Sequence, residues 1–100
     1  MTRVRFAAPA RRELLNEAAC RNGKGPGLGA RFAEAVGEAA TRAPAYPLSG
    51  ARASASTRRV FVEDFPFAIG YRADDEGIVI FAVAHHFRRP DYWRSRVEDH

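Results

Sequence analysis

Apolar and polar residues alternate in the second half of the chain, in a pattern that predicts three strands joined by short turns. Thr57–Glu63 and Phe67–Arg72 alternate along their length, whereas Ile78–Ala84 is continuously apolar and rich in β-branched residues. The last run is too short to cross a membrane and predicts a buried central strand. Asp64–Pro66 and Ala73–Gly77 are the predicted turns, so the three strands form an antiparallel meander.

A first helix is predicted from Pro9 to about Asn22, because proline suits the first helical turn. Small and apolar residues recur at helical spacing along one side, namely Ala10, Leu14, Leu15, Ala18 and Ala19. Glu13, Glu17 and Arg21 are assigned to the exposed side, with a stabilising ion pair at i, i+4 spacing. Cys20 lies among alanines, and we expect it to be an inert core residue.

A second helix follows the glycine-rich turn Asn22–Gly27. The turn lacks the residue spacing of a phosphate-binding loop, so it is interpreted as a connection between two helices. One side of the helix is apolar and the other carries charges; the apolar side comprises Leu28, Phe32, Ala35, Val36, Ala39 and Ala40. Gly37 within this helix predicts a close approach to the first helix, and Ala43-Pro44 marks the end.

Arg3–Phe6 alternates as a short strand with Val4 and Phe6 inward, and its neighbour in the sheet stays open. The predicted order is strand, helix, helix and three strands, followed by a short C-terminal helix that begins at Pro90-Asp91. Because strands and helices are segregated, the fold class is α+β. The helical hairpin packs on one face of the sheet, and residues 1–100 form a single domain.

Composition limits the class of function without deciding it. The chain has a net charge of +4, and Lys24 is its single lysine among 16 basic residues. This balance favours an anionic partner, although arginine excess also follows from GC-rich coding DNA. The N-terminus lacks the hydrophobic core of a signal peptide, and the single Cys20 excludes an internal disulfide. We therefore expect a cytoplasmic protein that has no membrane association.

The candidate chemistry is concentrated around the end of the central strand. His85 and His86 are neighbours on a strand, so their side chains point to opposite faces and do not favour a shared metal ion. His85 remains a possible general acid or base. No nucleophile–base signature or cofactor motif is present, so neither a metal site nor a cofactor is predicted.

Arginines are predicted at both ends of the meander. Arg58, Arg59 and Arg72 lie at one end, since the start of one strand is beside the end of the next. A basic and aromatic cluster leaves the opposite end and comprises Arg88, Arg89, Tyr92, Trp93, Arg94 and Arg96. Such side chains bind phosphates and unstacked bases, but they also dominate protein interfaces. Packing of Tyr92 and Trp93 against the sheet is the structural alternative.

The ordered set of segments resembles the RelE/ParE superfamily of toxins from type II toxin–antitoxin systems. The resemblance rests on PGLGARFAEAV, AYPL, RRVFVEDFPFAIGYR and IVIFAVAHHFRRPDYWRSR, which together cover nearly the whole chain. It implies a small bacterial toxin of the plasmid-stabilisation type that a cognate antitoxin neutralises by direct binding. The expected antitoxin surface is the helical hairpin near Leu15, Ala19, Leu28 and Phe32, together with the C-terminal cluster.

The resemblance leaves the cellular target open. ParE-like members inhibit DNA gyrase by binding, whereas RelE-like members cleave messenger RNA on the ribosome. A RelE-like activity would draw its catalytic groups from Arg58, Arg59, Arg88, Arg89 and Tyr92. The lysines common in such nucleases are absent, so gyrase inhibition is slightly favoured over ribonuclease activity. A domain that has lost toxicity and retains partner binding is a third possibility.

Overall fold

A computed structural model describes residues 3–45, 51–52, 57–74, 76–85 and Arg96; Pro44, Ala45, Ala51, Arg52 and Asp74 are described by their backbone alone. Two helices and five strands follow one another along these residues, and they confirm the α+β class. The elements are β1 (Arg3–Phe6), α1 (Ala8–Lys24), α2 (Leu28–Ala45), β2 (Ala51–Arg52), β3 (Arg58–Phe61), β4 (Phe67–Asp74) and β5 (Gly77–His85).

β5 is a buried interior strand with a neighbour on each side, as its apolar run predicts. The sheet order is β1-β5-β4-β3-β2, and residues Ile78 to Ala84 are buried throughout. β1 pairs with β5 in parallel over the register Arg3↔Gly77 to Phe6↔Ile80. This pairing identifies the neighbour of β1, which the sequence did not determine. A parallel pair needs a crossover connection, and the two helices between β1 and β3 belong to that connection.

The meander β3–β4–β5 is antiparallel, with a bulge in its last pair. Gly70 lies opposite Ala82 and Tyr71 opposite Ile80, so Phe81 is the extra residue of β5. β4 extends to Asp74, and the hairpin turn is therefore shorter than predicted. Between α2 and β3, β2 adds a two-residue strand to the edge of β3, which no pattern in the sequence predicted.

The two helices form a hairpin that covers one face of the sheet, and they are in close contact at Gly29. Its N–H donates a 2.8 Å hydrogen bond to Oδ1 of Asn22, and a Cβ atom there would overlap the Ala18 carbonyl oxygen. The prediction that Gly37 fills this role was wrong, since a Cβ at Gly37 meets no described atom within 4 Å.

The apolar stripe of α2 is confirmed as the main contribution of the helices to the core. Phe32, Val36, Ala39 and Ala40 are buried, and they pack with residues of the sheet. The sheet contributes Val62, Ile69, Tyr71, Ile78, Ile80 and Val83, with Val4 and Phe6 packed against them. The inward orientation predicted for Val4 and Phe6 is therefore confirmed.

The face assignment of α1 was wrong for several residues. Leu15 is 57% exposed, and Cys20 is exposed instead of lying in the core. Glu13 and Glu17 have largely covered side chains, with exposures of 24% and 26%. The helix places these carboxylates beside β5 and turns Leu15 outward. The predicted Glu17–Arg21 ion pair is present at 2.9 Å, but in this covered position.

The described part of the chain contains no helix that is both long and apolar enough to span a bilayer. The C-terminal helix predicted from Pro90 lies outside the described residues, apart from Arg96.

Candidate functional site

Arg58 and Arg59, at the start of β3, lie beside the part of β4 that contains Arg72, as predicted. Arg58 is opposite Tyr71 and Arg59 is opposite Gly70, one and two residues before Arg72 along β4. Arg58 and Arg59 are neighbours in a strand, so their side chains leave opposite faces. The guanidinium carbon of Arg59 lies 5.3 Å from the ring centroid of Phe61. By strand alternation Arg59 and Arg72 therefore lie on one face of the sheet, and Arg58 lies on the other.

Arg72 makes a similar contact on the sheet. Its guanidinium carbon is 5.4 Å from the ring centroid of Phe81, the bulge residue of β5. Phe81 is fully buried, whereas Phe61 is 52% exposed. Cation–π contacts hold a guanidinium over an aromatic face. The Arg59–Phe61 pair is consequently a basic and aromatic feature accessible to a partner.

His85 is the last residue of β5 and lies beyond the row of Arg59 along the strands. It pairs with Phe67, and the two rings meet edge to face at 5.6 Å. The row that contains Arg59, Gly70 and Ala82 is three residues away along β5, or about 10 Å at roughly 3.3 Å per residue. The described residues therefore do not bring His85 into acid–base contact with Arg59. Arg88, Arg89, Tyr92, Trp93 and Arg94 lie outside the described residues.

Across residues 3–45, 57–73, 76–85 and Arg96, no group of three or more histidine, cysteine or acidic side chains is arranged to hold a metal ion.

The predicted antitoxin surface on the helical hairpin contains both exposed and buried residues. Leu15 and Ala19 are exposed on α1, Leu28 is half-buried, and Phe32 is completely buried. A large exposed leucine on a helix is an available contact for an apolar side chain of a partner. Leu15 and Ala19 therefore form the accessible part of this surface, and Phe32 supports it from the core.

Phe32 is part of an aromatic box around a cation that the sequence did not reveal. The guanidinium carbon of Arg21 lies 5.2 Å from the ring centroid of Phe32, 4.7 Å from Phe65 and 5.4 Å from Phe67. Glu17 Oε2 lies 2.9 Å from Nε of Arg21. The box links α1 to α2 and to the β3–β4 turn. Helical spacing identified the Glu17–Arg21 pair, but the rings come from three separate elements.

A second site that the sequence did not reveal lies where β1 ends. Oε1 of Glu13 accepts a hydrogen bond of 3.1 Å from the Val83 N–H and one of 2.9 Å from Nη1 of Arg96. Nη1 also donates to the Phe81 carbonyl oxygen at 3.0 Å, and Nη2 donates to Glu13 Oε2 at 3.3 Å. Glu13 thereby joins α1, β5 and the C-terminal region at one point.

An open groove of about 520 Å³ lies beside this carboxylate. Its lining comes from α1, β4 and β5: Glu13, Asn16, Glu17, Phe67, Val83, Ala84 and His85. The floor is apolar, and the α1 wall carries two carboxylates. The sequence gave no indication of this groove, because it depends on the register of β5 and on which side of α1 faces the strand.

Burial displaces the protonation equilibrium of Tyr71. Burial raises the pKa of its phenol above 10.0, and the positive charge of Arg58 opposes that rise. The Tyr71 hydroxyl makes no hydrogen bond within the described part of the chain. A buried phenol of this kind stays neutral at physiological pH and does not act as a general base.

Comparison with known proteins agrees with this architecture. The chain matches the family "ParE toxin of type II toxin-antitoxin system, parDE" over residues 4–90. Among solved structures it is similar to the chromosomal ParDE toxin–antitoxin system from P. aeruginosa, with a TM-score of 0.69 and 17% identity. That likeness covers 85% of this chain and 96% of the other, and at this identity it shows the fold. No functionally curated protein matches the sequence. Because the family match covers most of the chain, this protein belongs to the ParE toxin family of type II toxin–antitoxin systems, within the RelE/ParE superfamily.

Proposed function

We propose that this toxin inhibits DNA gyrase by binding to it and is neutralised by direct binding of a cognate antitoxin. The family match carries the proposal. Among the described candidates, Arg59 and His85 lie about 10 Å apart along the strands at roughly 3.3 Å per residue, so these two do not form an acid–base pair. General acid–base catalysis needs groups within hydrogen-bond reach of the reacting atoms.

Binding to gyrase would use the arginine and aromatic side chains of the C-terminal cluster. Arg88, Trp93 and Arg94 are the residue types that dominate interface hot spots. The charge of +4 would speed the encounter with an acidic surface. On this proposal the toxin acts without a catalytic step of its own.

A supercoiling assay with purified toxin and gyrase tests the target. We expect inhibition by the native chain and by Arg31→Ala, which removes an exposed arginine on α2. Arg88→Ala and Trp93→Ala should reduce inhibition while the folded spectrum is retained. Full supercoiling at a toxin excess over gyrase would contradict the proposal.

Mapping of transcript ends after induction tests the ribonuclease alternative in the same cells. New codon-proximal cuts that disappear in Arg88→Ala or Tyr92→Phe would show that the toxin cleaves messenger RNA and does not act by inhibiting gyrase. Intact transcripts together with loss of supercoiling would exclude the alternative. Normal growth after induction without antitoxin would instead indicate a domain that has lost toxicity.

Antitoxin binding is proposed to use the exposed side of α1. Leu15 offers an apolar side chain that is 57% exposed and therefore accessible to a partner. The product of the neighbouring open reading frame, co-purified with the toxin, is the protein to test. Leu15→Ser should weaken the complex without changing the thermal midpoint of the toxin, and Ala33→Ser on the exposed side of α2 is the control.

A further inference from the structure

The edge of β5 changes its hydrogen-bonding partners halfway along the strand. β1 covers Gly77 to Ile80, and the Ala7 N–H donates to the Ile80 carbonyl at 2.9 Å directly after β1 ends. Beyond that point two side chains make hydrogen bonds to the backbone of the β5 edge. Glu13 accepts from the Val83 N–H, and Arg96 donates to the Phe81 carbonyl. A carboxylate and a guanidinium thus make the bonds that the C=O and N–H groups of a paired strand would make.

The Arg96 side chain is bound in a manner specific for guanidinium. Among the described residues, its two terminal nitrogens contact three oxygen atoms: Glu13 Oε1 at 2.9 Å, Glu13 Oε2 at 3.3 Å and the Phe81 carbonyl at 3.0 Å. The two side chains are 21% and 24% exposed, so the pair is partly withdrawn from water. A planar fork satisfies this arrangement, whereas an ammonium group presents a point charge and cannot contact the carboxylate as a fork.

The adjoining groove extends the same chemistry along the strand. Val83 and Ala84 give an apolar floor beside the backbone edge, and Glu17 adds a second carboxylate to the α1 wall. Because Glu13 and Arg96 already bond the Val83 N–H and the Phe81 carbonyl, a partner segment in the groove would contact its side-chain wall and floor rather than add a strand. The acidic wall selects an extended segment with basic side chains.

We propose that Glu13 and the Phe81 carbonyl form a guanidinium-binding site, which Arg96 fills in cis and an arginine of a partner's extended segment fills in trans. The partner segment then lies along the β5 edge in the groove. The trans part rests on the proposed function, with the antitoxin as the partner. It concerns a different surface from the exposed Leu15 side of α1.

If the two arginines compete for one site, the two substitutions should change antitoxin affinity in opposite directions. Arg96→Ala vacates the site and should tighten antitoxin binding, whereas Glu13→Gln removes the charge that holds either guanidinium and should weaken binding. If Arg96 occupies the site about nine-tenths of the time, its removal should lower the dissociation constant about tenfold. Residues with a purely structural role would shift affinity in the same direction, or leave it unchanged.

The site itself is tested without the antitoxin. N-acetyl-arginine methylamide is titrated into isotope-labelled Arg96→Ala toxin, and the Val83 amide resonance is followed. We expect a saturable shift at Val83 that the lysine and citrulline analogues do not reproduce. The double variant Glu13→Gln/Arg96→Ala should show no shift. Absence of an arginine-specific shift in Arg96→Ala would overturn the proposed site.

Two controls separate the outcomes. Arg96→Gln replaces Arg96→Ala if the alanine variant does not give a folded spectrum, and Arg31→Ala controls for loss of a surface charge. Antitoxin affinity is then measured calorimetrically for each variant. No binding by the native toxin would contradict the proposed antitoxin pairing. Normal binding with equal affinities for native, Glu13→Gln and Arg96→Ala would overturn the trans role alone.

Discussion

The N–H of Gly29 donates a 2.8 Å hydrogen bond to Asn22, and α1 and α2 are in close contact at this point. A methyl group at position 29 would overlap the Ala18 carbonyl oxygen and the Asn22 side chain. Gly29→Ala should therefore cost about 1–3 kcal/mol, the usual range for overpacking. Gly37→Ala is the matched variant, because position 37 is open and exposed within the same helix. It should stabilise the protein by about 0.5–1 kcal/mol. Urea denaturation measures both, and equal effects would contradict this role of Gly29.

The fully buried Phe32 and the half-exposed Phe61 give a second matched pair. Phe32 is 0% exposed and contacts Phe65 and Phe67 edge to face, at centroid distances of 5.2 and 5.1 Å. Phe32→Ala should cost about 3–5 kcal/mol of unfolding free energy. Phe61→Ala should cost less than about 1 kcal/mol, since the ring is 52% exposed. A loss below about 1 kcal/mol for Phe32→Ala would mean that the apolar face of α2 is misplaced.

Arg21 should stabilise the fold through its aromatic box more than through its charge pair. Arg21→Met keeps an unbranched chain but removes the cation from three phenyl rings. We expect a loss of about 1–2 kcal/mol, with a coupling of about 0.5–1 kcal/mol to Phe65→Leu in a double-mutant cycle. Arg31→Met on the exposed side of α2 should change stability by less than about 0.5 kcal/mol. Additive effects of Arg21→Met and Phe65→Leu would remove the cation–π interpretation.

Gly77 controls the docking of β1. Its φ of 143° lies in the region that favours glycine, and a Cβ atom would overlap the backbone of Arg3. Gly77→Ala should therefore weaken β1 pairing before it affects the remainder of the sheet. Amide exchange should accelerate for Arg5 and Ala7, the latter a donor to the Ile80 carbonyl. Gly23→Ala, which meets no described atom within 4 Å, is the control and should leave exchange at β1 unchanged.

The two helices show what the sequence can predict and what it cannot. α2 was assigned correctly because large residues such as Phe32 and Val36 repeat at the helical period, so that the pattern itself marks the buried side. In α1 the small residues give little contrast between the two sides. Glu13 is covered because its carboxylate accepts a hydrogen bond from the Val83 N–H, on the part of β5 that β1 does not reach. Where β1 stops along β5 is set by the register of the sheet. Leu15 is exposed for the same geometric reason. Long-range register is not encoded in local periodicity.

The candidate site follows the same division. The meander order correctly predicted that Arg58, Arg59 and Arg72 share one end, since antiparallel connection fixes which strand ends meet. The Arg21 box and the Glu13–Arg96 site were missed, because their members are far apart in sequence. Glu13 and Arg96 are separated by 83 positions. Turn and strand signals do not report such pairs.

The raised pKa of Tyr71 predicts that the folded protein loses stability at alkaline pH. Burial raises the pKa of its phenol in the folded state above the unfolded value of about 10, although Arg58 opposes the rise. Between these two pKa values the unfolded chain releases the phenolic proton and the folded chain retains it. The unfolded state then binds fewer protons, so stability falls as pH rises through about 10.

Tyr71→Phe should remove this part of the decline. At neutral pH it should cost little or even stabilise, because the buried hydroxyl has no described hydrogen-bond partner. Urea midpoints of both proteins from neutral to alkaline pH measure the effect. An identical alkaline decline in the two proteins would show that Tyr71 ionises as freely in the folded state as in the unfolded state.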